Sequence, residues 1–369
     1  MPYVRLLSGY NGTRLRTELK TIPTCYVTVK PRKAIIVIGA SAGGVEAIRT
    51  VVAALRRDLD AAVFVTLHIG AHRSDLPWLL NLAGPLPAKH AADGDPIEAG
   101  HIYVAPPDHH MLVEDGYVSL TKGPRENWAR PAIDPLFRSA ARAYGTSVIG
   151  VILTGGLNDG TAGMIEIEAR GGTTIVQDPL DAFTPNMALS AIANVAVDHV
   201  VPAFAIGKLL MRLVDSSGAT DLKTEHPTIA EHPTGDSQEN GMTAEFTLNQ
   251  PVAVTCPDCG GALRRSELGS LTQFSCHIGH VYTAEVMLAA QFVTMERSIE
   301  SAMRSLGERA HLCGQMFDKL PAGATSEVER ARWEVARSEA LDRTAPLRQL
   351  LTEPWTHPYS SALEAQSER

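Results

Sequence analysis

Two groups of side chains in this sequence have types and spacings that could do chemistry. The first is Ser41, His68 and Asp159; the second is Cys256, Cys259, Cys276 and His280. A hydroxyl is a weak nucleophile until a neighbouring base takes its proton, and an imidazole base needs an anion to hold its tautomer. Ser41, His68 and Asp159 supply those three parts, and each follows an apolar run that reads as a β-strand. Ser41 sits on a turn of small residues, Gly39-Ala40-Ser41-Ala42-Gly43-Gly44, after the run Ile35-Ile36-Val37-Ile38. The spacing Gly39-x-Ser41-x-Gly43 suits a nucleophile elbow, because small neighbours let the backbone bend sharply. Read as Gly39-x-Ser41-x-x-Gly44, the same letters suit a phosphate-binding turn with serine at its second glycine, or a purely structural turn. The chain order Ser, His, Asp differs from the Ser, Asp, His order of the α/β-hydrolases, which disfavours a lipase-like enzyme.

The second group reads as a metal site. Cys256-x-x-Cys259 places two thiolates on one knuckle, and Gly260-Gly261 lets backbone amides approach the sulfurs. Cys276 and His280 close a tetrahedron from a second knuckle, with His277 as a rival fourth ligand. Paired knuckles at this spacing resemble a zinc ribbon. Four protein ligands leave no position open for water, so the zinc is expected to be structural and no cofactor is expected for catalysis. The alternative is a degenerate ribbon that has lost its metal. The remaining cysteines, Cys25 and Cys313, are isolated, a pattern that suits a reducing cytosol better than a secreted disulfide scaffold.

Elements that would position these groups can be read from the hydropathy pattern. From residue 34 to about 214, short apolar runs alternate with amphipathic stretches. This is the signature of an α/β domain: a doubly wound, mainly parallel sheet with helices on both faces. Strands are expected at 35–38, 62–67, 101–105, 147–154, 173–177 and 199–201, with a hairpin from 111–113 and 117–120. Helices are expected at 43–55, 74–82, 161–170 and 185–194, with one through 137–143 capped by Asp134 and a last one ending near 214. Open sheets of this kind place their sites at the carboxyl ends of the strands, where Ser41, His68 and Asp159 stand. Residues 1–33 read as a poorly ordered basic tail and 215–250 as a disordered linker rich in Ser, Thr, Pro and acids. Residues 251–283 form the ribbon-like module. Apolar residues at helical spacing (Met287, Phe292, Met295, Ile299, Met303, Leu306) predict an antiparallel helical hairpin over 284–351, followed by a tail at 352–369.

Composition excludes several function classes. A net charge of −8 opposes general nucleic-acid binding, which needs a basic surface. No apolar run approaches the roughly 18–20 residues that span a bilayer, and the basic tail lacks the apolar core of a secretory signal. A cytoplasmic location is expected. Nucleotide binding at the glycine turns would call for an acid about 20 residues beyond the first turn, where His68 stands instead.

Several runs, in order, resemble the catalytic domain of the chemotaxis protein-glutamate methylesterases, the CheB family. They are Ile38 to Gly44, Leu67-His68, His101 to Pro106, Arg130 to Phe137, Gly150 to Gly155, and Asn158-Asp159-Gly160-Thr161-Ala162-Gly163-Met164. The resemblance implies that Ser41 is the nucleophile, His68 the base and Asp159 its orienting anion. It implies hydrolysis of γ-glutamyl methyl esters on methyl-accepting receptors or related signalling proteins, releasing methanol, with glutamine deamidation in some members. Backbone N–H groups of Ala42, His68 and Gly156 are the expected oxyanion donors. The chain departs from the family at Ala42, where threonine is common, at Gly156-Leu157, where Met-Gly is usual, and at Ile69-Gly70. The 33 residues ahead of the domain are too few for the receiver domain that members commonly carry, so control is expected to come from elsewhere or to be absent. The extension is expected to make protein contacts, including self-association through the helical hairpin. The rival readings are a non-catalytic signalling adaptor on this fold and a nucleotide-binding regulator. Arg130 is either a loop brace or a fork for a substrate carboxylate. His72, His90, His101, His109 and His110 are expected to be surface or structural.

Overall fold

The structure, a computed structural model, describes residues 34–69, 73–217, 254–320 and 324–353. The basic tail, nearly all of the linker, His72 and most of the C-terminal tail lie outside the described residues.

Every residue of β1 (Ala34–Ala40) and β2 (Ala61–Leu67) is buried. Strands covered on both faces need no polar alternation, which is why these runs read as continuous apolar text. After β1 comes α1 (Gly44–Ala53), and after β2 come α2 (Leu76–Ala83), β3 (Ala88–His90) and β4 (Ile102–Val104). A hairpin of β5 (His110–Val113) and β6 (Val118–Thr121) leads to α3 (Ile133–Tyr144), β7 (Val148–Ile152) and α4 (Thr161–Ala169). The domain closes with β8 (Thr173–Gln177), α5 (Asn186–Asn194), β9 (His199–Val201) and α6 (Ala203–Ser217).

Seven strands form one sheet in the order β3-β4-β2-β1-β7-β8-β9, and every pairing in it is parallel. Alternate residues of β1 face opposite layers. Ile36 and Ile38 join a core with Ile48, Val51, Leu80 and Ile206 from α1, α2 and α6. Ile35 and Val37 join Phe137, Met164 and Met187 from α3, α4 and α5. Helices therefore cover both faces, as the sequence pattern predicts.

The strand order reverses at β1, with β2 on one side and β7 on the other, and the register there is what sets the site. Ala40 pairs with Leu67 and Gly39 with Ile152, so the residues after β1, β2 and β7 emerge level at one edge. The Ser41 N–H then donates to the Thr154 carbonyl at 2.9 Å. α3 packs with its first turn over β1, and a Cβ on Gly39 would collide with the Ile133 side chain.

Three differences from the sequence reading are instructive. α3 begins at Ile133, so Asp134 lies inside its first turn rather than capping it. β3 escaped notice because three half-exposed residues carry no periodic signal. α6 runs past 214 to Ser217, and Arg56 closes on Asp215 through paired bonds of 3.0 and 3.1 Å.

The C-terminal part has its own antiparallel sheet of β10 (Leu263–Leu268), β11 (Leu271–Cys276) and β12 (Val281–Thr283). β12 runs directly into α7 (Ala284–Lys319), which packs along α8 (Ala324–Thr352) with Ala310, Cys313 and Ala340 buried.

Substituting Gly39→Ala should push against Ile133 and lower stability by about 1–3 kcal/mol, the usual cost of overpacking. Urea denaturation of the full chain measures it, and an unchanged midpoint would show that α3 does not sit as tightly on β1 as described.

Candidate active site

Ser41 stands where β1 ends. The turn is closed by the Gly44 N–H donating to the Ser41 carbonyl at 2.9 Å, and Gly43 takes the left-handed backbone, φ 76°. Ser41 is not among the described non-glycine residues with positive φ, so the left-handed bend falls on its small neighbour Gly43. The turn lies hard against the next loop: a Cβ on Gly155 would come within 2.8 Å of the Ser41 Cβ.

His68 follows β2 and bridges the other two residues. Its Nδ1 lies 3.2 Å from Ser41 Oγ and its Nε2 lies 2.7 Å from Asp159 Oδ2. A carboxylate accepts only, so the short contact puts the proton on Nε2 and leaves the Nδ1 lone pair facing the hydroxyl. The structure thus brings the three sequence-predicted residues into one hydrogen-bonded chain.

Asp159 is buried, and its surroundings explain how an anion persists there. Oδ2 also accepts the Ile133 N–H at 2.6 Å. Oδ1 accepts Asn127 Nδ2 at 2.8 Å, the Gly160 N–H at 3.0 Å and the Asp134 N–H at 3.3 Å. The carboxylate therefore sits on the N-terminus of α3, where free N–H groups and the helix dipole favour negative charge. Burial alone would raise its pKa, but the His68 contact, the Ile133 N–H and the Asn127 amide together hold it below the usual carboxylate range. Neighbouring Asp134, which accepts the Gly163 N–H at 2.7 Å and Asn127 Nδ2 at 2.8 Å, goes the other way. Burial, and then the Asp159 charge, push it up to about 8, so this pair of carboxyls carries a single negative charge at neutral pH.

The expected oxyanion donors divide. The His68 N–H is committed to the Ala40 carbonyl at 3.2 Å, because His68 extends the β2–β1 ladder by one residue, so it is withdrawn from that role. Ala42 and Gly156 lie outside strands and helices, and their N–H groups have no protein acceptor among the described residues. Arg130 braces its loop: Nε and Nη2 reach Asp108 Oδ1 at 2.9 and 2.6 Å, and Nη1 reaches the Gly123 carbonyl at 2.8 Å. His90, His101, His109 and His110 each contact a backbone carbonyl, which fits structural use. Asn127, which touches both buried carboxyls, was not legible in the sequence. It lies in an ordinary-looking polar loop, Arg125-Glu126-Asn127, with nothing to separate it from a solvated turn.

Cys256, Cys259, Cys276 and His280 converge, with their ligand atoms all within 4.8 Å of one another. Ligands at zinc–sulfur and zinc–nitrogen distances of about 2.3 and 2.05 Å in a tetrahedron stand about 3.75 Å apart for S···S and about 3.55 Å for S···N. Here Cys259 Sγ to Cys276 Sγ is 3.7 Å, and His280 Nδ1 lies 3.6 and 3.5 Å from the sulfurs of Cys256 and Cys276. The donor set and its spacing fit a tetrahedral metal ion, and His280, not His277, takes the fourth place. Burial raises the Cys276 thiol, but the N–H groups of His280 and Ile278, with the His280 ring and Cys259, bring it down to about 6. Behind the ligands, Asp258 Oδ2 accepts the Tyr282 hydroxyl at 2.7 Å and stands 3.9 Å from His280 Nε2.

Comparison with known proteins bears on the first of these two sites. The family model described as CheB methylesterase matches residues 36–210. A Leptospira interrogans protein, assigned by name to protein-glutamate methylesterase/protein-glutamine glutaminase activity, is 41% identical over 181 residues, which are 48% of this chain and 93% of that one. The chain belongs to the CheB methylesterase family. A Rhizobium johnstonii protein-glutamate methylesterase/protein-glutamine glutaminase is 36% identical over 190 residues, covering 50% of this chain and 52% of its own length. The solved catalytic domain of Thermotoga maritima CheB methylesterase is 33% identical, with a TM-score of 0.48, over 49% of this chain and 99% of that structure. The family model ends at residue 210, ahead of the Cys/His module, which makes the module a feature to be understood from this chain itself.

Asp134 gives the site a pH signature. It is protonated when folded and ionised when unfolded between about pH 4 and pH 8, so folding takes up a proton there and stability falls as pH rises. The contribution is fully present below the unfolded value and lost as pH approaches 8. Urea unfolding between pH 5 and 8 should show wild type losing up to about 1.4 kcal/mol per pH unit relative to Asp134→Asn. Parallel profiles would show that Asp134 is not the buried proton carrier.

Proposed function

We propose that this chain is a serine hydrolase that removes methyl esters from glutamate side chains of methyl-accepting chemotaxis receptors, using Ser41, His68 and Asp159. The observation that carries the reading is the continuous hydrogen-bonded path from Ser41 Oγ through the imidazole to a buried, ionised Asp159. Names of the relatives support the substrate class, and the family's activity supports the reaction type.

The mechanism follows from the geometry. Ser41 Oγ attacks the ester carbonyl as its proton passes to His68 Nδ1, and Asp159 stabilises the imidazolium through Nε2–H. The N–H groups of Ala42 and Gly156 are the donors left for the oxyanion, a role that is electrostatic and fixed in advance. The tetrahedral adduct collapses, breaking the carbonyl–OCH3 bond, and His68 delivers its proton to the departing methoxide to give methanol. Water, deprotonated by His68, then cleaves the glutamyl-Ser41 ester and regenerates the hydroxyl. A glutamine side chain would follow the same course with ammonia leaving, which is the second activity in the relatives' names. The enzyme acts in the cytoplasm, residues 34–214 carry the chemistry, and the extension makes protein contacts. Self-association falls to the α7–α8 hairpin, where Leu312, Met316 and Val335 are exposed. The module at 251–283 holds zinc through Cys256, Cys259, Cys276 and His280, and with four protein ligands the ion is structural.

Methanol release from methylated receptor tests the reaction. Ser41→Ala should release none above background, and Asp159→Asn should lose about 10⁴-fold in kcat through the wrong imidazole tautomer. Equal release by Ser41→Ala and wild type would remove Ser41 as the nucleophile. Metal analysis of the full chain should find one zinc per chain, falling to none in a variant carrying Cys256→Ser and Cys276→Ser.

A further inference from the structure

The residue that joins the Cys/His module to the long helix is Thr283, and it is buried. Its hydroxyl caps α7 by accepting the Val286 N–H at 3.4 Å. The same hydroxyl donates to Asn158 Oδ1 at 2.5 Å, and the Thr283 N–H donates to Asn127 Oδ1 at 3.1 Å. Asn158 is the chain neighbour of Asp159, and Asn127 is the amide that donates to the Asp159 carboxylate. For Asn158 the Thr283 hydroxyl is the side-chain partner, since Asn158 Nδ2 is buried with no hydrogen-bond partner among the described residues.

These contacts belong to a wider seam. The Asn127 N–H donates to the Val281 carbonyl at 2.7 Å and the Val281 N–H to the Arg125 carbonyl at 3.3 Å, so the 125–127 loop lies alongside β12 like an added strand. Trp128 and Leu157 of the catalytic domain pack on the module's core of Cys256, Cys276, Tyr282, Val286 and Met287. Two of those core residues are metal ligands. At the far end, Ser270 Oγ donates to Asn194 Oδ1 at 2.6 Å. The module leaves the turn at the nucleophile open: Ala42 and Gly43 beside Ser41 are exposed.

We infer that Thr283 is a positioning residue for the Asp159 carboxylate, so that closure of the Cys/His module around its metal sets the geometry of the Ser41–His68–Asp159 chain. The physical basis is short. The Thr283 hydroxyl holds Asn158, the chain neighbour of Asp159, and the Thr283 N–H holds Asn127, whose two amide hydrogens go to Asp134 and Asp159; Thr283→Val removes the first hold and loss of the ion removes both. Small metal modules have too little core to fold without their ion, and here the ligands stand within that core. Losing the ion therefore releases β12, and with it the fixed end of Asn127 and the partner of Asn158. Partners that orient a functional group in this way typically change activity 10–100-fold when removed.

The inference rests on the esterase reading only for its activity readout, and a second readout needs no substrate. In the ligand-free full chain, the His68 Nε2–H bonded to Asp159 should give a downfield proton resonance, absent from Asp159→Asn. Thr283→Val, and wild type stripped of metal by a chelator, should both shift or broaden that resonance. Both should also lower kcat about 10–100-fold with KM changed less than twofold, while Thr283→Ser restores both readouts. Asn158→Ala, which leaves the α7 cap in place, should behave like Thr283→Val and stands in if that variant does not fold. A shifted resonance in a wild-type chain that hydrolyses no methyl ester would uphold the coupling while refuting the substrate. An unchanged resonance and kcat in both the metal-free chain and Thr283→Val, with helix content intact, would overturn the inference. Thr283→Ser as defective as Thr283→Val would overturn it too, since the hydroxyl would then not be the link.

Discussion

A carboxylate buried away from water is the constraint around which this molecule is arranged. An unpaired charge in such a place is costly enough that the group would ordinarily take up a proton. Asp159 stays ionised because α3 aims its first N–H groups at it, His68 donates to one oxygen and Asn127 to the other. Each of those donors fixes something else in turn. The α3 N-terminus lies where it does because Gly39 leaves room for Ile133, and His68 is level with Ser41 because Ala40 and Leu67 share a register. The second buried carboxyl, Asp134, belongs to the same account. Burial first, and then the neighbouring Asp159 charge, press it toward its neutral form.

The active-site chain is directional as a result. Asp159 accepts from Nε2, which leaves Nδ1 for the serine, so the imidazole is attached to its anion and its nucleophile by opposite edges of the ring. Nucleophile and base lie on adjacent parallel strands, and the anion follows the strand on the other side of β1. Convergence at a topological reversal is a general property of open α/β sheets. It needs no sequence proximity, which is why 91 residues can separate His68 from the carboxylate it touches.

Much of this arrangement was legible before any coordinates. β1, β2 and β7 announce themselves because strands covered on both faces are nearly unbroken apolar text, and the glycine turns after β1 and β7 mark where the chain reverses. The Cys256/Cys259 and Cys276/His280 spacings likewise fix local geometry within a few residues, so the three thiols are legible from spacing, while the choice of His280 over His277 needs the fold. What could not be read is whatever depends on two distant loops meeting. Asn127 and Thr283 have unremarkable neighbours in sequence, Asp134 reads there only as a helix cap, and the folded chain alone reveals that one amide spans two carboxyls and a ribbon. The oxyanion expectation at His68 failed for a related reason. One more ladder bond, to Ala40, absorbs an N–H group that a strand ending at Leu67 would leave over.

Leu157 carries a further consequence. It holds φ 60°, a left-handed backbone that costs a non-glycine residue about 1–2 kcal/mol, and its side chain lies among the apolar residues of the module. Each half of this chain thereby has a stake in the other. A lineage that discarded the tail would keep a contorted loop with an oily side chain facing water, and would need a second change at this position to recover.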